Sequence, residues 1–368
     1  MLHPKLISLN FFYKLFFIFS ITSVLLSCKK DPIIFGNRPI VFGNNITKIA
    51  FGSCGNQNND LPIFNVITNH NPDLFIFLGD NIYGDTEDMN VLRNKYNQLG
   101  SKLSYQYMKQ NVPIIATWDD HDYGWNDAGK YYKYKEQSKE IFLEFFEEPI
   151  NSSRRQHKGI YHAETYNIDD KKLQIILLDN RTFRSNLKTY DGEVDGDDRY
   201  SYSLDYGTQN SPDSTLLGEE QWIWLEQKLL TPADMRLICS GTQFGIEYNG
   251  YEAWANFPHE QQKLLNLIKS TGASGVMFLT GDVHYAELSK LEEENLYPIY
   301  DFTSSGLSST WDFSTPNINR IKGPIMENQF GFLTINWQKS DPEINMEVWD
   351  VNNTLRFKHT ISLSEISF

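Results

Sequence analysis

Short apolar runs that stop abruptly at Asp, His, Asn or Cys constrain this chain more than any other feature of its sequence. The run 46–52 closes on Ser53-Cys54-Gly55, 73–78 on Gly79-Asp80-Asn81, and 112–118 on Asp119-Asp120-His121-Asp122. The pattern repeats where 173–178 meets Asp179-Asn180-Arg181, 236–239 meets Ser240-Gly241-Thr242-Gln243, and 275–279 meets Gly281-Asp282-Val283-His284. Runs this short and this rich in β-branched and aromatic residues read as strands buried on both faces. Helical patterns at 62–70, 89–109, 130–146, 219–229 and 258–270 lie between them. In such α/β arrangements ligands bind outside the carboxyl ends of the strands, so the polar clusters are expected along one crevice.

From residue 297 onward the pattern changes to strands at 299–302, 330–337, 343–349 and 356–363, with turns at Ser340-Asp341-Pro342 and Asn352-Asn353. Ile344, Met346 and Val348 alternate with Asn345, Glu347 and Trp349, which predicts a half-exposed antiparallel sheet. Alternating β and α units followed by a meander predict a mixed α/β fold, with two sheets packed face to face and helices outside. The stretch 190–214, rich in Asp, Gly, Ser and Tyr, is long enough to be a substrate-facing lid or a mobile insertion. It and 248–254 either wall a pocket or pack on the surface.

The amino-terminal segment reads as an address. Lys5 and Lys14 precede an apolar stretch, 15–26, that is too short to span a bilayer comfortably and ends in Leu25-Leu26-Ser27-Cys28. This is similar to a lipoprotein signal whose Cys28 is lipidated. Residues 1–28 are thus expected to be a signal, 29–45 a tether, and 46–368 a catalytic domain of an exported bacterial lipoprotein held in the cell envelope. The formal charge is −14, with no basic run, so a nucleic-acid-binding surface is not expected; a monomer is. Cys54 and Cys239 could pair in an oxidising compartment, but Cys239 sits in an apolar run and reads as core.

Cys54 has a better use. Asp80 at a strand tip can set one carboxylate between two cations, and Tyr83 three residues on can turn back to the same site with a phenolate, a good ligand for ferric iron. Asp119, Asp120 and Asp122 around His121 would oppose one another's ionisation unless a cation or solvent relieved them. Asp282 and His284, two apart on an extended segment, point to one side. Cys54 could complete a mixed S/O/N site.

Taken together, SCGNQ at 53–57, GDNIY at 79–83, WDDHD at 118–122 and GDVH at 281–284 resemble, in order, the motifs of PhoD-type alkaline phosphatases in the calcineurin-like metallophosphoesterase superfamily. The resemblance covers about 46–306, as a short form without the N-terminal β domain of some members. It implies a four-layer α/β/β/α sandwich with metals at the strand ends. By the same resemblance Asp80 bridges the metals, and Cys54, Tyr83 and His284 join it on Fe3+. Asp120 and Asp282 hold the second cation, Ca2+ by its hard ligands, with Mn2+ or Zn2+ as alternatives. His121 contacts the scissile phosphate or protonates the leaving oxygen. Asp119, Asn126 and Arg181 are implied as supporting or phosphate-contacting residues, Arg181 less firmly because Asn180 departs from the family's Thr. Asp119 or Asp122 is expected to fix the tautomer of His121.

The expected chemistry is phosphate ester hydrolysis by a metal-activated hydroxide, of the alkaline phosphatase type, on monoesters or diesters. The competing readings are a phospholipase-like phosphodiesterase and a non-catalytic, lipid-anchored calcium-binding protein.

Overall fold

The computed structural model describes residues 46–192 and 202–368; the signal, Cys28, the tether and the middle of the 190–214 stretch lie outside the described residues. The first βα steps are β1 (Lys48–Gly52), α1 (Ile63–Asn69), β2 (Leu74–Leu78), α2 (Met89–Gly100), α3 (Leu103–Asn111) and β3 (Ile114–Thr117). A single turn, α4 (Asp120–Tyr123), and α5 (Lys135–Phe145) lead to the hairpin β4 (His162–Ile168) and β5 (Lys171–Leu177). After a small ribbon, β6 (Lys188–Thr189) with β7 (Tyr206–Gly207), come α6 (Gly218–Leu229), β8 (Met235–Ser240), α7 (Pro258–Thr271) and β9 (Val276–Thr280). The chain closes with β10 (Ala286–Leu291), β11 (Ile299–Ser304), β12 (Arg320–Ile325), β13 (Gln329–Asn336), β14 (Glu343–Asp350) and β15 (Leu355–Ser362).

These strands form a six-stranded sheet, β15-β14-β13-β1-β2-β3, and a seven-stranded sheet, β12-β10-β11-β9-β8-β5-β4. Within the first, β1, β2 and β3 are parallel; within the second, β5, β8, β9 and β11 are parallel. Period-two geometry sorts the side chains of the first sheet. Ile49, Phe51, Leu74, Ile76 and Leu78 join the core shared with the second sheet, whereas Ala50, Phe75 and Phe77 pack with residues of α1, α2, α3 and α5. Phe51 meets Phe302 of β11 edge to face across the sheets, with centroids 4.9 Å apart. Leu225 and Leu229 of α6 and Leu264 and Ile268 of α7 extend that shared core. The two sheets touch directly where Ser53 and Ser305 form a parallel bridge, beside the polar strand ends.

Three expectations need correction. The helix read over 89–109 is two helices, because Gly100 and Ser101 end α2 and Lys102 turns extended before α3 begins. Helix α5 begins at Lys135, not 130. The strand read near 299 leaves the C-terminal meander: β11 pairs in parallel with β9 in the other sheet, and the meander is β13-β14-β15 alone. In β14 the alternation is as expected, with Ile344, Met346 and Val348 buried between half-buried neighbours. Cys54 and Cys239 are both free and buried, so the disulfide is absent and Cys239 is a core residue.

Candidate dimetal centre

The carboxyl ends of the parallel strands deliver their polar residues in strained backbone. Cys54 (φ 59°), Asp80 (φ 48°), Asp282 (φ 78°) and His284 (φ 58°) all occupy the left-handed region. Residues without glycine's freedom persist there only where the surroundings hold them, and such strain gathers at functional sites. Gly79 has φ +103°, and a Cβ built on it would lie 2.5 Å from Asp119 Cβ. The GD pair thus lets the β2 end pass against the β3 end closely enough for Asp80 to reach its neighbours.

Asp80 is shared by two clusters of ligand-type side chains. Ligand atoms of Cys54, Asp80 and His284 lie within 4.8 Å of one another, and so do those of Asp80, Asp120 and His121. Cys54 Sγ is 3.4 Å from Asp80 Oδ2, and Tyr83 Oη is 3.4 Å from His284 Nε2. Asp120 belongs to a further cluster with Asp127 and Glu252. Asp282 joins none of the three: its backbone carbonyl faces Cys54 Sγ at 3.6 Å, while its buried carboxyl feels the charges of Asp119, Glu252 and Asp120.

The electrostatics are those of a cluster short of positive charge. Burial, then Cys54 and Asp120, push the Asp80 carboxyl well above the usual range. Burial and Asp119 do the same to Asp282, and burial outweighs Arg181 at Asp119. Burial works against ionised Asp120 too, but Arg181 and His121 prevail and hold it low. Burial pushes the Cys54 thiol up to about 12 and, aided by His121, pulls the His284 imidazole down to about 4. Asp80 Oδ1 is buried with no hydrogen-bond partner among the described residues. An orphaned carboxylate oxygen, a neutral imidazole and a thiol that only a strong positive charge would ionise fit a bound cation pair.

Each supporting residue has a place. Asp119 pairs with Arg181, whose guanidinium is fully buried and also reaches Glu252 at 2.6 Å. Arg181 is therefore spent on carboxylates. Asn126 is exposed and donates to Asp127 Oδ2 at 2.6 Å. The tautomer of His121 is set by neither Asp119 nor Asp122: His121 Nδ1 lies 2.6 Å from Asp85 Oδ1. Asp122 instead accepts from the backbone of Asn81, Ile82 and Asp119 and from Tyr96 Oη, which fastens the β3 end to the β2 end. Burial opposes the charged ring of His121, but Asp80, Asp85 and Asp120 outweigh it and push its pKa up to about 10.

Several residues were missed. Gln57 takes the Tyr83 N–H on Oε1 at 2.8 Å and returns a bond to Tyr83 O, so it sets where the phenol points. Gln57 and Asp85 stand within or beside quoted motifs, so adjacency was a signal. Glu252 and Arg184, 3.1 Å apart, come from loops distant in sequence, and no local pattern marks them. Tyr206, from the 190–214 stretch, donates to Asp127 Oδ2 at 2.5 Å; Tyr248 Oη donates to Tyr206 O at 2.6 Å. Tyr251 and Tyr202 stack at 5.4 Å, and Trp311 stacks on His284 at 5.2 Å. Tyr248 thus packs toward the cluster through Tyr206, and Tyr251 through Trp311 at 5.4 Å, whereas Trp254 belongs to the shared core.

Residues 49–359 match the model of the PhoD-like phosphatase family. Alkaline phosphatase D of Bacillus subtilis (strain 168) is 26% identical over 232 residues, which are 58% of this chain but only 37% of that protein. A solved structure of PhoD superposes with a TM-score of 0.63 at 19% identity, covering 87% of this chain and 72% of the other. A dimetal phosphatase from Danio rerio superposes with a TM-score of 0.53 at 12% identity, covering 87% and 99%. These likenesses establish the fold, and the match across most of the described sequence establishes the kinship: the chain belongs to the PhoD-like phosphatase family.

Proposed function

We propose that the chain is a metal-dependent phosphoric ester hydrolase of the alkaline phosphatase type. The observation that carries this reading is Asp80, one carboxylate shared by the cluster with Cys54 and His284 and the cluster with Asp120 and His121. Cys54, Tyr83 and His284 with Asp80 would hold Fe3+; Asp120 and Asp282 with Asp80 would hold Ca2+. When bound, such a pair supplies Lewis acidity that makes a water nucleophilic near neutral pH and relieves charge on the phosphoryl oxygens. His121, charged and held on Nδ1 by Asp85, presents Nε2 to hand a proton to the departing ester oxygen. Arg181, itself held by Asp119, keeps Asp120 ionised. Gln57 aims the phenol of Tyr83.

Metal analysis, visible absorption and a phosphatase assay on one sample test the reading. Ferric iron on a phenolate and a thiolate should colour the protein, and Tyr83→Phe should shift or remove the band. Asp80→Asn should abolish hydrolysis, weaken both cations and leave the fold intact. Near-normal turnover with both metals retained in that variant would sink the assignment, and bound calcium without turnover would favour a binding protein.

The same chain is proposed to act as an exported lipoprotein anchored through Cys28. No helix of the described residues is long and apolar enough to cross a membrane. The mass of the mature amino-terminal peptide tests the proposal: an unmodified Cys28 would refute it.

A further inference from the structure

The end of β11 carries none of the four sequence motifs, yet the residues that follow it touch two of the candidate iron ligands. Ser305 is buried, and its backbone is fixed on two sides: it bridges in parallel with Ser53 beyond β1, and its N–H donates to Tyr285 O at 3.2 Å. Its side-chain oxygen accepts the His284 N–H at 2.9 Å and lies 3.1 Å from Cys54 Sγ. The amide makes that oxygen an acceptor, which leaves the hydroxyl proton for the sulfur. Other contacts of the sulfur cannot replace it. With a cation bound, Asp80 Oδ2 at 3.4 Å and Asp282 O at 3.6 Å are acceptors alone, and Ser53 Oγ stands farther off, at 3.6 Å. A thiolate has no proton to give, so Ser305 is its nearest donor among the described residues.

The same segment holds His284, whose φ of 58° persists only with support. Ser305 takes its N–H, Trp311 N–H donates to its carbonyl at 3.3 Å, and the Trp311 indole lies parallel to the imidazole with centroids 5.2 Å apart. We propose that Ser305 is a positioning residue of the iron site: its hydroxyl aims Cys54 and His284 together and donates a hydrogen bond to the Cys54 thiolate. Groups that bond to metal ligands fix their orientation, and hydrogen bonds to a metal-bound sulfur draw charge from it. The sulfur then offsets less of the cation's Lewis acidity, on which activation of a water depends. This rests on the reading of Cys54 and His284 as iron ligands.

Visible spectroscopy and amide exchange on the full protein test it separately. Ser305→Ala removes one oxygen; it should move the sulfur-to-iron charge-transfer band to longer wavelength and weaken iron binding by about 10- to 100-fold. Ser305→Thr keeps the hydroxyl and should keep the parent's band. In a Cys54→Ala background, where only the phenolate band is left, Ser305→Ala should move nothing. A band unmoved by Ser305→Ala with iron retained, or moved equally by Ser305→Thr, would overturn the proposal. In metal-stripped protein the His284 amide should exchange with solvent faster in Ser305→Ala than in the parent or in Ser305→Thr. Unchanged exchange would overturn the hold on His284 even if hydrolysis stands. Faster exchange in a protein that takes up no iron would mean that the contact is real and the iron reading has failed, which overturns the role at the thiolate. A band shift without hydrolysis of any ester would uphold the proposal while the hydrolase reading fails.

Discussion

Asp80 is costly to hold where it stands. Its side chain is buried, its φ is 48°, and Cys54 and Asp120 oppose its ionisation. A backbone in the left-handed region costs of order 1–3 kcal/mol for a residue other than glycine. Such costs are tolerated where function depends on them; the members of the first metal-type cluster were legible only from SCGNQ, GDNIY and GDVH together, each following a buried strand. His121 illustrates the other case. Its partner Asp85 was not legible, since WDDHD crowds acids around the ring and offers Asp119 and Asp122 as nearer partners. Those acids have other duties: Asp119 binds Arg181, Asp120 belongs to the metal-type clusters, and Asp122 binds backbone. Asp85 raises the pKa of His121, so Asp85→Asn should lower it. If protonated His121 delivers the proton, the alkaline limb of the pH–rate profile then moves to lower pH. An unmoved limb would show that His121 is not the titrating acid.

At the scale of elements, the strands that carry the site were easier to read than the packing between them. Buried parallel strands such as β2 have apolar residues on both faces, so their runs are continuous and end sharply. The edge strands β4 and β12, and β10 beside β12, were missed because they mix polar and apolar residues, and β12 is half-buried or exposed throughout. Pairing across the chain was not legible either: β11 looks like one more strand of a meander, and only its parallel pairing with β9 shows otherwise. The β2 and β3 ends depend on the missing Cβ of Gly79. Gly79→Ala meets both a positive φ and the Asp119 Cβ at 2.5 Å, so either backbone must move. The expected loss is about 2–4 kcal/mol of stability, combining overpacking with left-handed strain. Chemical denaturation measures it, and a loss below about 1 kcal/mol would mean the strand ends yield easily.

Across the whole molecule, two sheets bring the ends of seven parallel strands to one edge, and with them more buried carboxylates than their arginines can balance. That imbalance makes stability depend on pH in a way that bound cations should reverse. In the metal-stripped protein the Asp80, Asp119 and Asp282 carboxyls have folded-state pKa values raised well above the ordinary 3.8. As pH rises past that ordinary value, the unfolded chain releases these protons while the folded chain still holds them. Folding then binds protons, and stability falls until pH passes the raised values. Cations compete with those protons and favour the ionised carboxylates, so the loaded protein escapes this loss. A ligand at about a thousand times its Kd stabilises the native state by roughly 4 kcal/mol, on the order of 10 °C in Tm for a domain of this size. The Tm gap between loaded and chelated protein should therefore be of that order at pH 8 and much smaller at pH 5. Thermal unfolding with and without chelator at the two pH values decides it. A gap that is equal at both, or wider at pH 5, would mean that these buried carboxyls are not where the cations bind.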